Sequence, residues 1–428
     1  MKQIADEQAL ALESIRKKLV GKELNYKEIY AVMDEIAHNR LGEVLTTYFA
    51  ASGYSKGFSN EELYYLTKAM VETGEHLSFG GIVADKHSIG GVPGTRTTLI
   101  VIPIIAAAGF KIPKSSSRAI TTPDGTADDM EVLAKVEFTK EEIYHIVKKT
   151  NACIVWGGSF HIAPADDMLI HVERPLSFES FDKIIVSIMA KKIAFGSNHV
   201  IIDIPYGPSV KVHNRDDAEI LKHKFEYIGG KFDMHVTAIV HETNQPAGRG
   251  IGPVLETRDS MRVLEQTADR PMDLEKHALI LAGTLLDMCI LHDKNQKKEI
   301  EETYGDGFGW AKHLLETGKA LEKMKEIIEA QGGNPHVTST KLTLKLGEHS
   351  CVITAGQKCE VKSIDNKNCT SIARILGCPT QKGSGIYLDK KIGETAEKGE
   401  ILFTLYSESL YNLREAQESL NNFPIVHI

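Results

Sequence analysis

Between Asp85 and Glu131 the chain concentrates the residue types that hold anions. Asp85-Lys86-His87-Ser88-Ile89-Gly90-Gly91-Val92-Pro93-Gly94 sets a lysine, a hydroxyl and several glycines where a short apolar run, Gly81 to Ala84, reads as a strand. Glycine lets backbone N–H groups turn inward toward an anion, and lysine adds a compact positive charge. Downstream, Lys114-Ser115-Ser116-Ser117-Arg118-Ala119-Ile120-Thr121-Thr122-Pro123-Asp124-Gly125-Thr126-Ala127-Asp128 brings more hydroxyls and a threonine cap to the start of a helix. The free N–H groups and positive dipole end of such a helix also favour an anion. A glycine-rich turn alone is most often an ordinary tight turn. Two anion-friendly turns in one α/β unit point further, to a single phosphate held from two sides.

The elements that must position these residues follow from periodicity. The first 76 residues read as helices, with Asn25/Glu28 and Ser59/Glu62 as capping-box starts and apolar residues behind them at helical spacing. From Leu77, short β-branched runs (Ile82-Val83, Ala152 to Val155, Val200 to Asp203, Val236 to Val240) alternate with helical stretches, one of them capped by Thr139/Glu142. That alternation predicts a buried, mostly parallel sheet flanked by helices. Ser180 to Ile193 reads as a helix returning to the N-terminal bundle, and helices run on from Ser260 to about Ala330, stopped by Gly332-Gly333-Asn334-Pro335. Beyond lie short strands (Glu360 to Ile364, Gly385 to Leu388, Ile401 to Tyr406) and a turn, Gly393 to Glu400, like that of a biotinyl/lipoyl hammerhead without its acceptor lysine motif. The expected class is α/β: an N-terminal helical domain, a central mostly parallel α/β domain and a C-terminal α+β domain with hammerhead-like strands. The expected boundaries are 1–76, rejoined by about 163–193; 77–162 with 194–331; and 336–428.

Lys-His-Ser-x-Gly-Gly, Ser-Ser-Arg-Ala-Ile and Gly-Thr-x-Asp-x-Met-Glu together resemble the pyrimidine-nucleoside phosphorylase family. Gly-Val-Pro-Gly, Ser-Ser-Arg-Ala-Ile-Thr and Trp156-Gly157-Gly158 look most like the branch holding AMP phosphorylases and proteins named type 2 thymidine phosphorylases. The resemblance runs from about Ile15 to Ser407. It implies phosphate contacts from Lys86, Ser88, Thr98, Ser116 and Thr126, one cation and four hydroxyls around a tetrahedral anion. Thr98 could instead back-bond to its own preceding turn. The implied base site is His87, Arg174, Ser187 and Lys191. The spacing of four puts Ser187 and Lys191 on one helix face, which is also how a solvated surface pair looks. Gly91, Ser117, Arg118, Ala119, Ile120, Thr121, Thr122 and Lys211 complete the implied nucleotide-binding set, with Thr121, Thr122 and Lys211 a second anion pocket for a 5′-phosphate. Lys211 reads equally as surface beside Asn214-Arg215-Asp216-Asp217.

Glu179 stands where the branch places an aspartate that protonates the departing base. A positioned acid of this kind is worth roughly 10²–10⁴-fold. Asp182 is a nearby substitute, and either carboxylate could simply face a helix dipole. With His87, Glu179 is the expected catalytic residue. His161 replaces an asparagine of the pattern Gly-Gly-x-x-Asn-x-Ala-Pro-Ala-Asp. The extra N-terminal domain of the AMP-cleaving branch has no counterpart, which turns the expectation from large multimers to a homodimer through the N-terminal helices. Arg96 and the extra residue around Pro93 disturb the monovalent-cation pattern of some relatives, so no metal and no cofactor is expected, phosphate being a co-substrate.

The implied reaction is phosphorolysis of a nucleoside 5′-monophosphate to free base and ribose 1,5-bisphosphate, or of thymidine or another pyrimidine nucleoside to a sugar 1-phosphate. Magnesium-dependent phosphoribosyl transfer, for which Asp128-Asp129 could serve, and a non-catalytic binding module are the competing classes. The net charge of −8 gives no footprint for nucleic acid. No basic-then-apolar start and no apolar run of about 20 residues occurs, so a cytoplasmic protein with no membrane partner is expected. Six cysteines, none in Cys-x-x-Cys spacing, read as buried thiols rather than a zinc site.

Overall fold

The computed structural model describes residues 2–160, 162–173 and 180–428. All three capping boxes form. The Asn25, Ser59 and Thr139 side chains accept from the backbone N–H of Glu28, Glu62 and Glu142, and each glutamate reaches back to its cap. The helices they start, Tyr26–Ala37, Asn60–Glu72 and Lys140–Thr150, bury one apolar face each.

Two compact units result. The first comprises Met1–Asp85, Gly157–Val200 and Ile220–Ala238; the second comprises Lys86–Trp156, Ile201–Glu219 and Ile239–Ile428. In the first unit the N-terminal helices pack with Pro164–Glu173 and Phe181–Ala194, the latter capped by Ser180. Glu62 is buried there and pairs with Lys18 at 2.8 Å.

In the second unit, strands Ile112–Ser116 and Ala152–Trp156 pair in parallel, with Ile112 opposite Ala152 and Ser116 opposite Trp156. A second sheet has the strand order Ala84–Ser88, His199–Tyr206, His235–Glu242. Its first strand starts later than the sequence suggests. Gly80 and Gly81 adopt φ of +64° and +69°, which no extended strand accommodates. Lys86, His87 and Ser88 therefore sit on the strand itself, not in the turn after it.

The helix Thr98–Ala107 is apolar throughout and its residues from Leu99 to Ile105 are buried, which fits a helix covered on all sides. Helices begin at Pro253, earlier than the Ser260 read from the sequence, and continue to Ala330. The C-terminal strands form an antiparallel sheet in the order Gly250–Ile251, Gly385–Leu388, Ile401–Ser407, His349–Thr354. His349–Thr354 alternates partly buried with exposed residues, the pattern of a sheet covered on one face. Helices Asn366–Leu376 and Leu410–Ser419 contribute to its core, neither of which the sequence reading foresaw. No described helix is long and apolar enough to cross a membrane.

Candidate active site

Lys86 is buried on its strand, and its ammonium reaches the Thr98 hydroxyl at 3.4 Å, at the first residue of the helix Thr98–Ala107. The strand Ile112–Ser116 ends on Ser116, whose buried Oγ finds no hydrogen-bond partner among the described residues. A buried orphan hydroxyl costs about 1–3 kcal/mol unless a ligand satisfies it. Ser88 lies partly exposed at the end of the lysine strand. Thr126 opens the helix Thr126–Met130, capped by Gly125. Lysine, a helix-start threonine and an unsatisfied serine suit an anion.

Asp203, unmarked in the sequence, lies on the neighbouring strand and accepts the backbone N–H of Ile89 at 3.0 Å through its carbonyl. Burial alone would raise its carboxyl. His277, the hydrogen bond from His241 and the charge of Lys86 outweigh that and hold it well below the usual carboxylate range.

Arg96 closes the glycine turn from behind. Its guanidinium meets Asp124 at 3.0 Å and Glu256 at 3.2 Å, and also pairs with Asp129. It lies 3.5 Å from the Thr126 hydroxyl. Glu256 in turn accepts the Gly94 N–H at 2.8 Å. One cation thus ties together the glycine turn, the Gly125 turn and the helix Pro253–Glu265. The reading of Asp128 and Asp129 as metal ligands meets a different geometry: Asp129 faces Arg96, and Asp128 accepts the N–H groups of Ala119 and Gly125 at 2.8 and 2.9 Å.

The glycine turn is crowded where the second anion pocket was expected. A Cβ at Gly91 would meet Lys211 Cγ at 2.9 Å and its backbone N at 3.0 Å, and Thr121 Oγ1 would lie 3.9 Å from one at Gly90. Lys211 and Thr121 therefore flank the two glycines. The Thr122 hydroxyl donates to the Asp124 carbonyl at 2.7 Å. Arg118 bonds Glu131 twice at 2.7 Å and Glu137 at 3.0 Å, and its guanidinium lies over the Trp156 ring at 4.7 Å. The Ser117 carbonyl accepts from Ala127 N, and Ile120 and Thr122 carbonyls accept from Arg374 at 2.7 and 3.3 Å. No local signal marks Arg374, 254 residues from Ile120.

In the first unit the Ser187 hydroxyl donates to Asp166 at 2.8 Å, while Lys191 lies 2.6 Å from Asp166 and 3.3 Å from Ser187. The i,i+4 pair is thus organised by a fully buried carboxylate. Asp166 belongs to the Ala-Pro-Ala-Asp stretch, the one signal that could have singled it out. Asp182 accepts the Phe58 N–H at 2.9 Å and pairs with Lys224 at 2.5 Å, so its carboxylate holds the helical unit together. Arg174, Glu179 and His161 lie outside the described residues.

This combination of fold and side chains has relatives. The glycosyl transferase family a/b domain matches residues 80–321, the helical bundle domain of that family matches 12–74, and the pyrimidine nucleoside phosphorylase C-terminal domain matches 360–424. The chain belongs to this glycosyl transferase family. Among relatives, a "Putative thymidine phosphorylase" of Legionella pneumophila (strain Corby) is 42% identical over 413 residues, covering 96% of this chain and 77% of that protein. The AMP phosphorylase of Thermofilum pendens is 42% identical with the same 96% and 77% coverage. The anthranilate phosphoribosyltransferase structure from Thermus thermophilus shares the fold with a TM-score of 0.60 at 15% identity, covering 75% of this chain and 99% of that one.

Proposed function

We propose that the chain catalyses phosphorolysis of the N-glycosidic bond of a nucleoside 5′-monophosphate, releasing free base and ribose 1,5-bisphosphate. The observation that carries this reading is the buried Lys86–Thr98 pair together with the unsatisfied Ser116 hydroxyl, a cation and two hydroxyls suited to phosphate oxygens. Holding phosphate in line with the sugar carbon supplies orientation, worth about 7–11 kcal/mol in well-aligned reactions. Lys211 and Thr121 beside Gly90 and Gly91 support the 5′-phosphate in particular. Ser187 and Lys191, set by Asp166, offer a hydroxyl and an ammonium to a base carbonyl and ring nitrogen. Glu179 protonates the departing base in this reading, and His87 belongs with Ser187 and Lys191 to the base site.

A second reading, phosphorolysis of thymidine or another pyrimidine nucleoside, is favoured by the thymidine-named relatives and by the same serine–lysine pair. The proposed assembly is a homodimer through the N-terminal helices, supported by exposed Val44 and Tyr48 one turn apart on Gly42–Lys56. The test is to incubate the enzyme with phosphate and, separately, AMP, CMP, thymidine, uridine and cytidine, and to measure released base. Release from AMP or CMP alone supports the nucleotide reading; release from thymidine alone replaces it with the second.

A further inference from the structure

Asp203, His241 and His277 come from two adjacent strands and from the helix Met272–Ile290, and their ligand atoms all lie within 4.8 Å of one another. His241 Nε2 is 2.9 Å and His277 Nε2 3.2 Å from the same oxygen, Asp203 Oδ1. The two rings stand 4.4 Å apart, centroid to centroid. His241 Nδ1 contacts the Thr243 hydroxyl at 3.0 Å, which fixes the ring with Nε2 turned to the cluster. Such an outer partner is what orients metal-binding imidazoles.

The aspartate–histidine pairing is closest for His241. The buried His277 Nε2 approaches the same oxygen at 3.2 Å without the alignment of a good hydrogen bond. Two imidazole nitrogens and one carboxylate oxygen thus lie within 4.8 Å of one another, and one of the nitrogens is poorly aligned on the carboxylate.

We propose that Asp203, His241 and His277 bind a divalent transition-metal ion of the zinc type. Two nitrogens and one oxygen suit zinc, whose bonds of about 2.0–2.2 Å would place tetrahedral ligand atoms roughly 3.3–3.5 Å apart. The two carboxylate–imidazole separations of 2.9 and 3.2 Å lie within a few tenths of an ångström of that spacing, and the two imidazole nitrogens lie within 4.8 Å of each other. Asp203 is shielded from solvent, while His241 keeps 28% of its side chain exposed and so leaves the ion a way in. Three protein ligands leave a fourth position open. The test does not depend on the phosphorolysis reading, because binding is measured without substrate, and the site itself adjoins Lys86, whose charge acts on Asp203.

The experiment uses the full chain stripped with a chelator and titrated with Zn²⁺ alone by calorimetry, with Co²⁺ absorption as a second probe on the unaltered protein. The expected result is one saturable Zn²⁺ per chain and intense tetrahedral Co²⁺ bands. His241→Ala and His277→Ala are each expected to weaken Zn²⁺ binding roughly tenfold or more. His427→Ala, at the C-terminal edge, is the control and leaves it unchanged. Absence of saturable Zn²⁺ binding by the unaltered chain overturns the proposal. So does binding undiminished in both histidine variants, as capture by the six cysteine thiols would give. Should a variant fail to fold, the Co²⁺ spectrum of the unaltered chain decides: bands of a thiolate or octahedral type reject the site.

Discussion

Arg96 and Asp129 form a buried ion pair that joins the glycine turn to the first turn of the helix Thr126–Met130. Asp124 and Glu256 crowd the same guanidinium, so one positive charge faces three carboxylates that solvent does not reach. A pairing this unequal stays stable only if carboxyls retain protons or the guanidinium is shared across all three.

Arg96→Leu is expected to destabilise the fold by about 3–5 kcal/mol, the usual cost of stranding buried charge. Urea unfolding measures it. Arg96→Lys keeps the charge but not the planar fork and is expected to fall between the two. A leucine variant as stable as the parent rejects this account of the cluster.

Burial pushes the Asp129 carboxyl up to about 8, with Arg96 opposing and Glu256 and Asp128 adding to the rise. The folded chain therefore holds a proton that the unfolded chain releases at about pH 3.9. Stability is expected to fall as pH rises from about 4 to about 8, because the unfolded state binds fewer protons across that window. Asp124 and Glu256, both raised by burial, act in the same direction. Asp129→Asn should flatten part of the slope, read from urea midpoints at about pH 5 and about pH 8. An unchanged slope removes Asp129 as a source.

Lys86→Ala is expected to abolish phosphorolysis while the fold survives, since the ammonium that meets Thr98 is the proposed phosphate anchor. Rates at saturating phosphate are the measurement. Retention of more than roughly a tenth of the parent rate, above what loss of a charge-assisted hydrogen bond allows, excludes Lys86 from that role.

Lys211→Ala is expected to lower turnover of AMP or CMP about 10- to 100-fold while sparing unphosphorylated nucleosides, the cost of one charge-assisted hydrogen bond of about 1.5–3 kcal/mol. The comparison of kcat/KM on the two substrate kinds is decisive. Equal losses on both would place Lys211 outside the 5′-phosphate pocket.

The sequence by itself determined what depends on neighbours a few residues apart. The boxes at Asn25, Ser59 and Thr139 are local hydrogen bonds whose partners sit three positions on, so spacing suffices to read them. The glycines, Lys86, Ser116 and Thr126 suggested the proposed anion site by type, and the spacing of Ser187 and Lys191 set them on one helix face. Tertiary structure alone decided which charges answer one another. Glu256 reaches Gly94 across 162 positions, and Asp166 reaches Ser187 across 21. Asp203 meets His241 and His277 because strand order sets His199–Tyr206 between Ala84–Ser88 and His235–Glu242. Strand order and helix packing come from burial of the whole core, and no short window of sequence encodes them. For the same reason Gly80 and Gly81 could delay the strand and carry Lys86 onto it, a shift of a few residues that hydrophobic pattern does not register.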